Sequence, residues 1–189
     1  MLKRLVLAVC LPFLLAPAAE AANHGWYWGI EAGFDHPHDF SYVNSSSTTT
    51  ETMKTGGAAM ATLGTYVGSE LRLEGELGYH IDDFKYWGNW NEISLIGNLI
   101  YDIPLASDLV ASIGGGLGAD LILTHNQSDV GFAYQILAGF AWSISTRTAV
   151  TLQYRYTSVS GPTFESGSGP MEYDNLDHQS LTIGLRFTS

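Results

Sequence analysis

Leu71-Arg72-Leu73-Glu74-Gly75-Glu76-Leu77-Gly78-Tyr79-His80 is the stretch on which the fold turns. In an extended strand successive side chains point to opposite faces. Leu71, Leu73, Leu77 and Tyr79 therefore share one face, and Arg72, Glu74, Glu76 and His80 share the other. One face calls for hydrocarbon and the other for water or countercharge. A soluble sheet and a membrane barrel both satisfy this decamer, so the rest of the chain has to choose.

The alternation recurs along the sequence. Trp26, Trp28, Ile30, Ala32 and Phe34 oppose Tyr27, Gly29, Glu31 and Gly33, and residues 57–67 repeat the pattern with Ala59, Ala61, Leu63 and Val67. Further on, Ile93, Leu95, Leu99, Tyr101 and Ile103 oppose Glu92, Ser94, Asn98 and Asp102; Pro104, which has no N–H for a ladder, closes that strand. Leu109, Ile113, Leu117 and Leu121 oppose Ser112, three glycines and Asp120. Phe132, Tyr134, Ile136, Phe140 and Trp142 oppose Ala133, Gln135, Gly139 and Ala141. Val150, Leu152, Tyr154 and Tyr156 oppose Thr151, Gln153, Arg155 and Thr157. Leu181, Ile183, Leu185 and Phe187 oppose His178, Ser180, Thr182, Gly184 and Arg186.

These make eight strands. Residues 35–56, 81–91, 124–130 and 158–177 read as loops, and residues 68–70, 104–108 and 145–147 as tight turns. Long and short connections alternate, with both termini on the short-turn side. The expected fold is all-β: an eight-stranded antiparallel up-and-down transmembrane β-barrel with four longer extracellular loops and short periplasmic turns. Trp26, Trp28, Tyr79, Tyr101, Trp142, Tyr154 and Tyr156 lie towards strand ends on the apolar face, where interfacial girdles occur. A soluble barrel of lipocalin type is the rival, but it would have to crowd tryptophan and tyrosine from every strand into a narrow lumen.

The first residues specify export. Lys3 and Arg4 precede an apolar run over residues 5–15, and Ala19-Glu20-Ala21 supplies small residues at a cleavage position. Residues 1–21 are expected to be a signal peptide and residues 22–189 the outer-membrane barrel domain. A lipoprotein reading through Cys10 is disfavoured by the bulky Val9 before it and by its early position. Cys10 is the one cysteine in the 189 residues, so disulfides cannot staple the exported part. The whole chain has a formal net charge of −11, and the signal segment contributes +1 of it, leaving −12 beyond the signal. That argues against nucleic acid, and against simple adhesion to an anionic surface.

Gly25-Trp26-Tyr27-Trp28-Gly29, Leu71-Arg72-Leu73-Glu74, Gly114-Gly115-Gly116-Leu117-Gly118, Tyr154-Arg155-Tyr156 and the closing Gly184-Leu185-Arg186-Phe187 resemble the small outer-membrane β-barrel proteins. That group includes opacity-type surface antigens and the membrane domain of OmpA-like proteins. The resemblance implies residence in the bacterial outer membrane, with lipid and lipopolysaccharide as surroundings and the barrel-assembly machinery as a partner. Such chains end on an aromatic residue read by that machinery, whereas here Thr188 and Ser189 follow Phe187.

Glu31, Arg72, Glu74, Glu76, Asp102, Asp120, Arg155 and Arg186 are the expected interior charges, with Glu92 at the mouth. Charges in so tight a space must pair, because stranding one costs several kcal/mol. Arg72 and Asp102, on strands three and four, are expected to pair near the periplasmic end. Glu92 and Asp120 are expected to form a carboxylate pair that holds a proton or attracts cations. No cofactor is expected. His36-Pro37-His38-Asp39 has metal-like spacing but reads as a polar loop without supporting ligands. His178-Gln179-Ser180 resembles the His-x-Ser motif of lipid A deacylase barrels. Leu181 replaces that family's Asn, no acid follows, and the pair faces inward. The leading expectation is a non-enzymatic barrel whose acidic loops serve envelope integrity or contact with surfaces and host molecules. A narrow cation-preferring pore, with inward glycines leaving a passage, is the alternative. A lipid A-modifying enzyme is the second alternative.

Overall fold

A computed structural model describes residues 25–38, 40–44, 47–51, 54–84, 88–123, 128–161, 163–166, 169–173 and 175–189. The expected signal segment, Asp39 and Trp87 lie outside the described residues. Twelve strands are found among those described: β1 (Trp26–Pro37), β2 (Phe40–Asn44), β3 (Ser47–Glu51), β4 (Gly56–Tyr66), β5 (Leu71–Phe84), β6 (Gly88–Pro104), β7 (Leu109–Leu123), β8 (Ser128–Ser145), β9 (Thr148–Val159), β10 (Thr163–Ser166), β11 (Gly169–Tyr173) and β12 (Leu176–Thr188).

Eight of them close into an antiparallel barrel in the order β1-β12-β9-β8-β7-β6-β5-β4. Closure leaves no unpaired edge, which hydrocarbon would not tolerate. The seam is β1 against β12, running from Tyr27 opposite Thr188 to Pro37 opposite His178. Trp28 stacks on Phe187 there, with ring centroids 4.4 Å apart, and the Ser189 amide donates to the Trp26 carbonyl at 2.9 Å. The turns at one end are short. In the first, the Val67 amide donates to the Leu71 carbonyl at 2.7 Å, and Gly68 takes φ 125°, a conformation that needs glycine.

The polar loops expected at the opposite end are more ordered than their composition suggests. Residues 81–84 and 88–91, expected as parts of a loop, continue the ladder: β5 and β6 stay paired through Asp82 opposite Trp90 to Phe84 opposite Gly88. Residues 35–56 contain the end of β1 and the hairpin β2–β3, and residues 158–177 contain β10 and β11. These four strands form a separate sheet in the order β10-β11-β2-β3. The reason is physical. Alternating hydropathy is imposed where one face meets lipid and the other the lumen, whereas backbone pairing alone carries a ladder into water without that pattern.

The surface is inverted relative to a soluble protein. Phe34, Leu63, Leu77, Leu99, Leu117, Ile136, Leu152 and Ile183, one from each barrel strand, are all exposed. Arg72, Glu76, Asp120 and Arg155 are at most 2% exposed. Hydrocarbon outside and charge inside is the arrangement of a barrel solvated by lipid.

Candidate functional site

An eight-stranded lumen is narrow enough for side chains to fill it. Every interior charge expected from the sequence is buried: Glu31, Arg72, Glu74, Glu76, Asp102, Asp120, Arg155 and Arg186. They segregate into clusters along the barrel axis.

Nearest the short turns, Arg72 on β5 contacts Asp102 on β6 (Nε to Oδ2, 2.9 Å) and Glu74 (Nη1 to Oε2, 3.1 Å). Arg72 Nη1 also donates to the Tyr27 hydroxyl at 2.8 Å, and that hydroxyl donates to Glu74 Oε2 at 2.9 Å. Ser112 on β7 donates to Asp102 Oδ1 at 2.7 Å. Arg186 adds a second guanidinium 5.6 Å from the Tyr27 ring centroid, opposite in role to the acids and within cation–π reach.

Midway along the lumen, Arg155 on β9 holds Glu31 on β1 (Nη2 to Oε2, 2.8 Å) and Glu76 on β5 (Nε to Oε2, 2.9 Å). Its third link is to Thr182 on β12 at 2.8 Å. In the ring of eight strands β9 and β5 stand four places apart, so the Arg155–Glu76 pair crosses the full width of the barrel. Gln135 on β8 donates to Glu76 Oε1 at 3.1 Å and to Asn98 Oδ1 at 2.8 Å, and Thr151 donates to Glu31 Oε1 at 3.0 Å.

Apolar side chains also face the lumen. Ile96, Ile100 and Leu137 are buried on lumen positions. At several inward glycines neighbouring groups occupy the space a Cβ would take. Gly114 is met by Ile100 Cγ1 at 2.9 Å, Gly184 by Glu31 Cγ at 2.6 Å and Gly139 by Gln153 Oε1 at 2.5 Å. Tyr27 lies over Gly64 and the Asn98 amide over Gly116.

Towards the loop end, Asp35, His80, His178, Glu92 and Asp120 converge from β1, β5, β12, β6 and β7. His178 Nδ1 and His80 Nδ1 each lie 3.2 Å from Asp35 Oδ1, and His178 Nε2 lies 3.8 Å from Glu92 Oε2. The sequence reading paired Glu92 with Asp120 but missed Asp35 and His80 as members. Strand parity was the available signal: Asp35 continues the inward series Tyr27, Glu31, and His80 continues Arg72, Glu74, Glu76. His178 turns its ring nitrogens on the two carboxylates, inside the lumen. His36 and His38 are exposed, with His36 Nδ1 against Thr55 Oγ1 at 3.0 Å and His38 Nε2 against Gln179 Nε2 at 3.1 Å.

Of the girdle aromatics, Trp28, Tyr79, Tyr101, Trp142 and Tyr154 are exposed and Trp26 and Tyr156 are half-buried. At the turn end Trp142 Nε1 donates to Asp108 at 2.7 Å and Tyr101 donates to Glu70. At the loop end Tyr154 donates to Gln179 at 2.7 Å, Tyr156 to Asp177 at 2.8 Å and Tyr79 to Asn91 at 3.4 Å. Each ring keeps its body on the apolar wall and its polar atom on a group at a rim.

Comparison with known proteins agrees with this architecture. The Neisserial surface protein A structure superposes with a TM-score of 0.56 at 14% identity, covering 86% of this chain and 96% of that one. OprG from Pseudomonas aeruginosa gives 0.57 at 15% identity, covering 88% and 97%. AlkL in lipid bilayers gives 0.58 at 15% identity, covering 88% and 91%. At such identities the likeness is one of fold. No curated protein matches by sequence. The family model described as "Outer membrane protein beta-barrel domain" matches residues 6–188. This chain belongs to that family and is a protein of the bacterial outer membrane.

Proposed function

We propose that the protein is a non-enzymatic outer-membrane anchor with a closed lumen, which holds a paired platform of loop strands at the outer surface. The observation that carries this reading is Arg155, whose guanidinium ties β9 to β1 and to the opposite wall at β5 through Glu31 and Glu76. A solute moving along the axis would have to break those pairs, leaving buried charges uncompensated at a cost of several kcal/mol. Proteoliposomes carrying the folded barrel are the test: no swelling in small sugars or amino acids is expected, and swelling above that of empty liposomes would replace the anchor with the pore.

The loops are the working surface in this account. Besides the buried Asp35, nine acids fall within the four segments expected as loops, so divalent cations bridging to lipopolysaccharide phosphates are the expected contact, with host or surface ligands beyond them. Chelating Mg²⁺ and Ca²⁺ should loosen association with lipopolysaccharide; unchanged association counts against the bridge. The non-enzymatic part rests on His178, whose nitrogens face Asp35 and Glu92 within the lumen rather than lipid. Lipid A from cells making the Ser180→Ala variant should match that from cells making the parent protein, and both should match cells lacking it.

A further inference from the structure

The loop-end cluster is unlike the two below it. The lumen arginines pair with or lie beside acids at or below the middle of the barrel, and among the described residues none reaches Asp35 or Asp120. Asp35, Asp120, His80 and His178 are thus buried together, with Glu92 beside them. Asp35 and Asp120 are wholly buried, and His80 and His178 are 3% and 4% exposed.

His178 Nδ1 and Asp35 Oδ1 are within hydrogen-bond distance at 3.2 Å, but other polar atoms of the cluster are left over. Both carboxylate oxygens of Asp120 lack a hydrogen-bond partner, as do Asp35 Oδ2, His80 Nδ1 and His178 Nε2. A buried carboxylate with neither oxygen satisfied is costly, and natural proteins rarely carry one without an ion or a proton to compensate. The rings of His80 and His178 meet edge to face, with centroids 4.6 Å apart and planes at 87°, which lets both nitrogens address the same point beside Asp35.

We propose that Asp35, His80 and His178 bind one divalent transition-metal ion of the zinc class. One ligand atom from each of the three lies within 4.8 Å of the others. The two Nδ1-to-Oδ1 separations of 3.2 Å match the edge of a tetrahedron whose metal–ligand bonds are about 2.0 Å. Two imidazoles and a carboxylate suit zinc and its neighbours, whereas Mg²⁺ and Ca²⁺ take oxygen. Glu92 stands behind His178 at Nε2, the place of the carboxylate that orients a metal-bound imidazole, and Asp120 adjoins it. The site lies above the Arg155 crossing, towards the loop end. It does not depend on whether the lumen conducts.

The test is calorimetric titration with Zn²⁺ of the chelator-stripped full protein, purified from outer membranes in detergent. One Zn²⁺ per chain is expected, undisturbed by excess Mg²⁺. His80→Gln and His178→Gln should each abolish this binding, and Glu92→Gln should weaken it about 10–100-fold. The double variant His36→Gln/His38→Gln, which removes the two exposed imidazoles among the described residues, should bind as the parent does; loss of binding there, or unchanged binding in His178→Gln, overturns the proposal. Gel mobility with and without boiling reports closure of each variant. Should the lumen variants fail to close, Co²⁺ added to the parent protein decides. Intense d–d bands of a four-coordinate ion support the site, and the weak spectrum of hydrated Co²⁺ overturns it.

Discussion

Arg72 Nε lies 2.9 Å from Asp102 Oδ2, linking neighbouring strands β5 and β6 where the barrel approaches its short turns. The same guanidinium serves Glu74 and the Tyr27 hydroxyl, so its loss exposes two acids to each other in a buried space. Arg72→Ala should therefore destabilise the barrel by about 3–5 kcal/mol. Asp102→Asn, which keeps a hydrogen-bond acceptor beside the guanidinium, should cost less. Urea unfolding from lipid vesicles measures both, and equal small effects would deny the cluster a structural role.

Packing of the glycine rows gives a second prediction. A Cβ on Gly118 would collide with the Leu95 carbonyl and approach Ile96 Cα to 2.7 Å, both backbone atoms that cannot swing aside. A Cβ on Gly97 would meet nothing nearer than the Leu117 carbonyl at 3.9 Å. Gly118→Ala should cost about 1–3 kcal/mol, and Gly97→Ala should be near neutral in the same unfolding measurement.

The apolar wall gives a third. Leu117, 62% exposed and opposite Gly97, sits midway along the strands, whereas Val130 is level with Tyr79 near the loop-end girdle. Leu117→Arg should cost about 2–4 kcal/mol in a bilayer, and Val130→Arg about 0–1 kcal/mol. Equal penalties at the two depths would place the hydrocarbon boundary elsewhere.

Ionic strength separates the lumen from the surface. Arg155, Glu31 and Glu76 are shielded from solvent, so raising salt should leave the stability difference between parent and Glu76→Gln nearly unchanged. A difference that shrinks steeply with salt would mean that water and ions reach this pair.

Strand parity made much of this legible. The decamer Leu71–His80 alone sorts Arg72, Glu74 and Glu76 from the leucines, and two-residue periodicity carries the same sorting to Arg155 and Arg186. The Arg72–Asp102 pair was readable because a hairpin joins their strands and fixes the register. Arg155–Glu76 was not, since contact across the lumen depends on how the ring closes and how its strands stagger. Asp35 was assigned to a loop because polarity was weighed above parity. A missing side chain on one strand makes room for a large one, such as Tyr27 or Glu31, on the next, and such pairings across strands are not written in either strand's own pattern. Beyond the bilayer the pattern stops informing altogether, which is why β2, β3, β10 and β11 went unseen.

Single-channel recording of the folded protein in a planar bilayer tests the closed lumen most directly. The Arg155 crossing predicts electrical silence from protein shown to be inserted and closed, in salt of either sign of selectivity. Discrete, cation-preferring current steps from the parent protein would contradict it, and would mean that the Arg155–Glu76 pair opens on the timescale of ion passage.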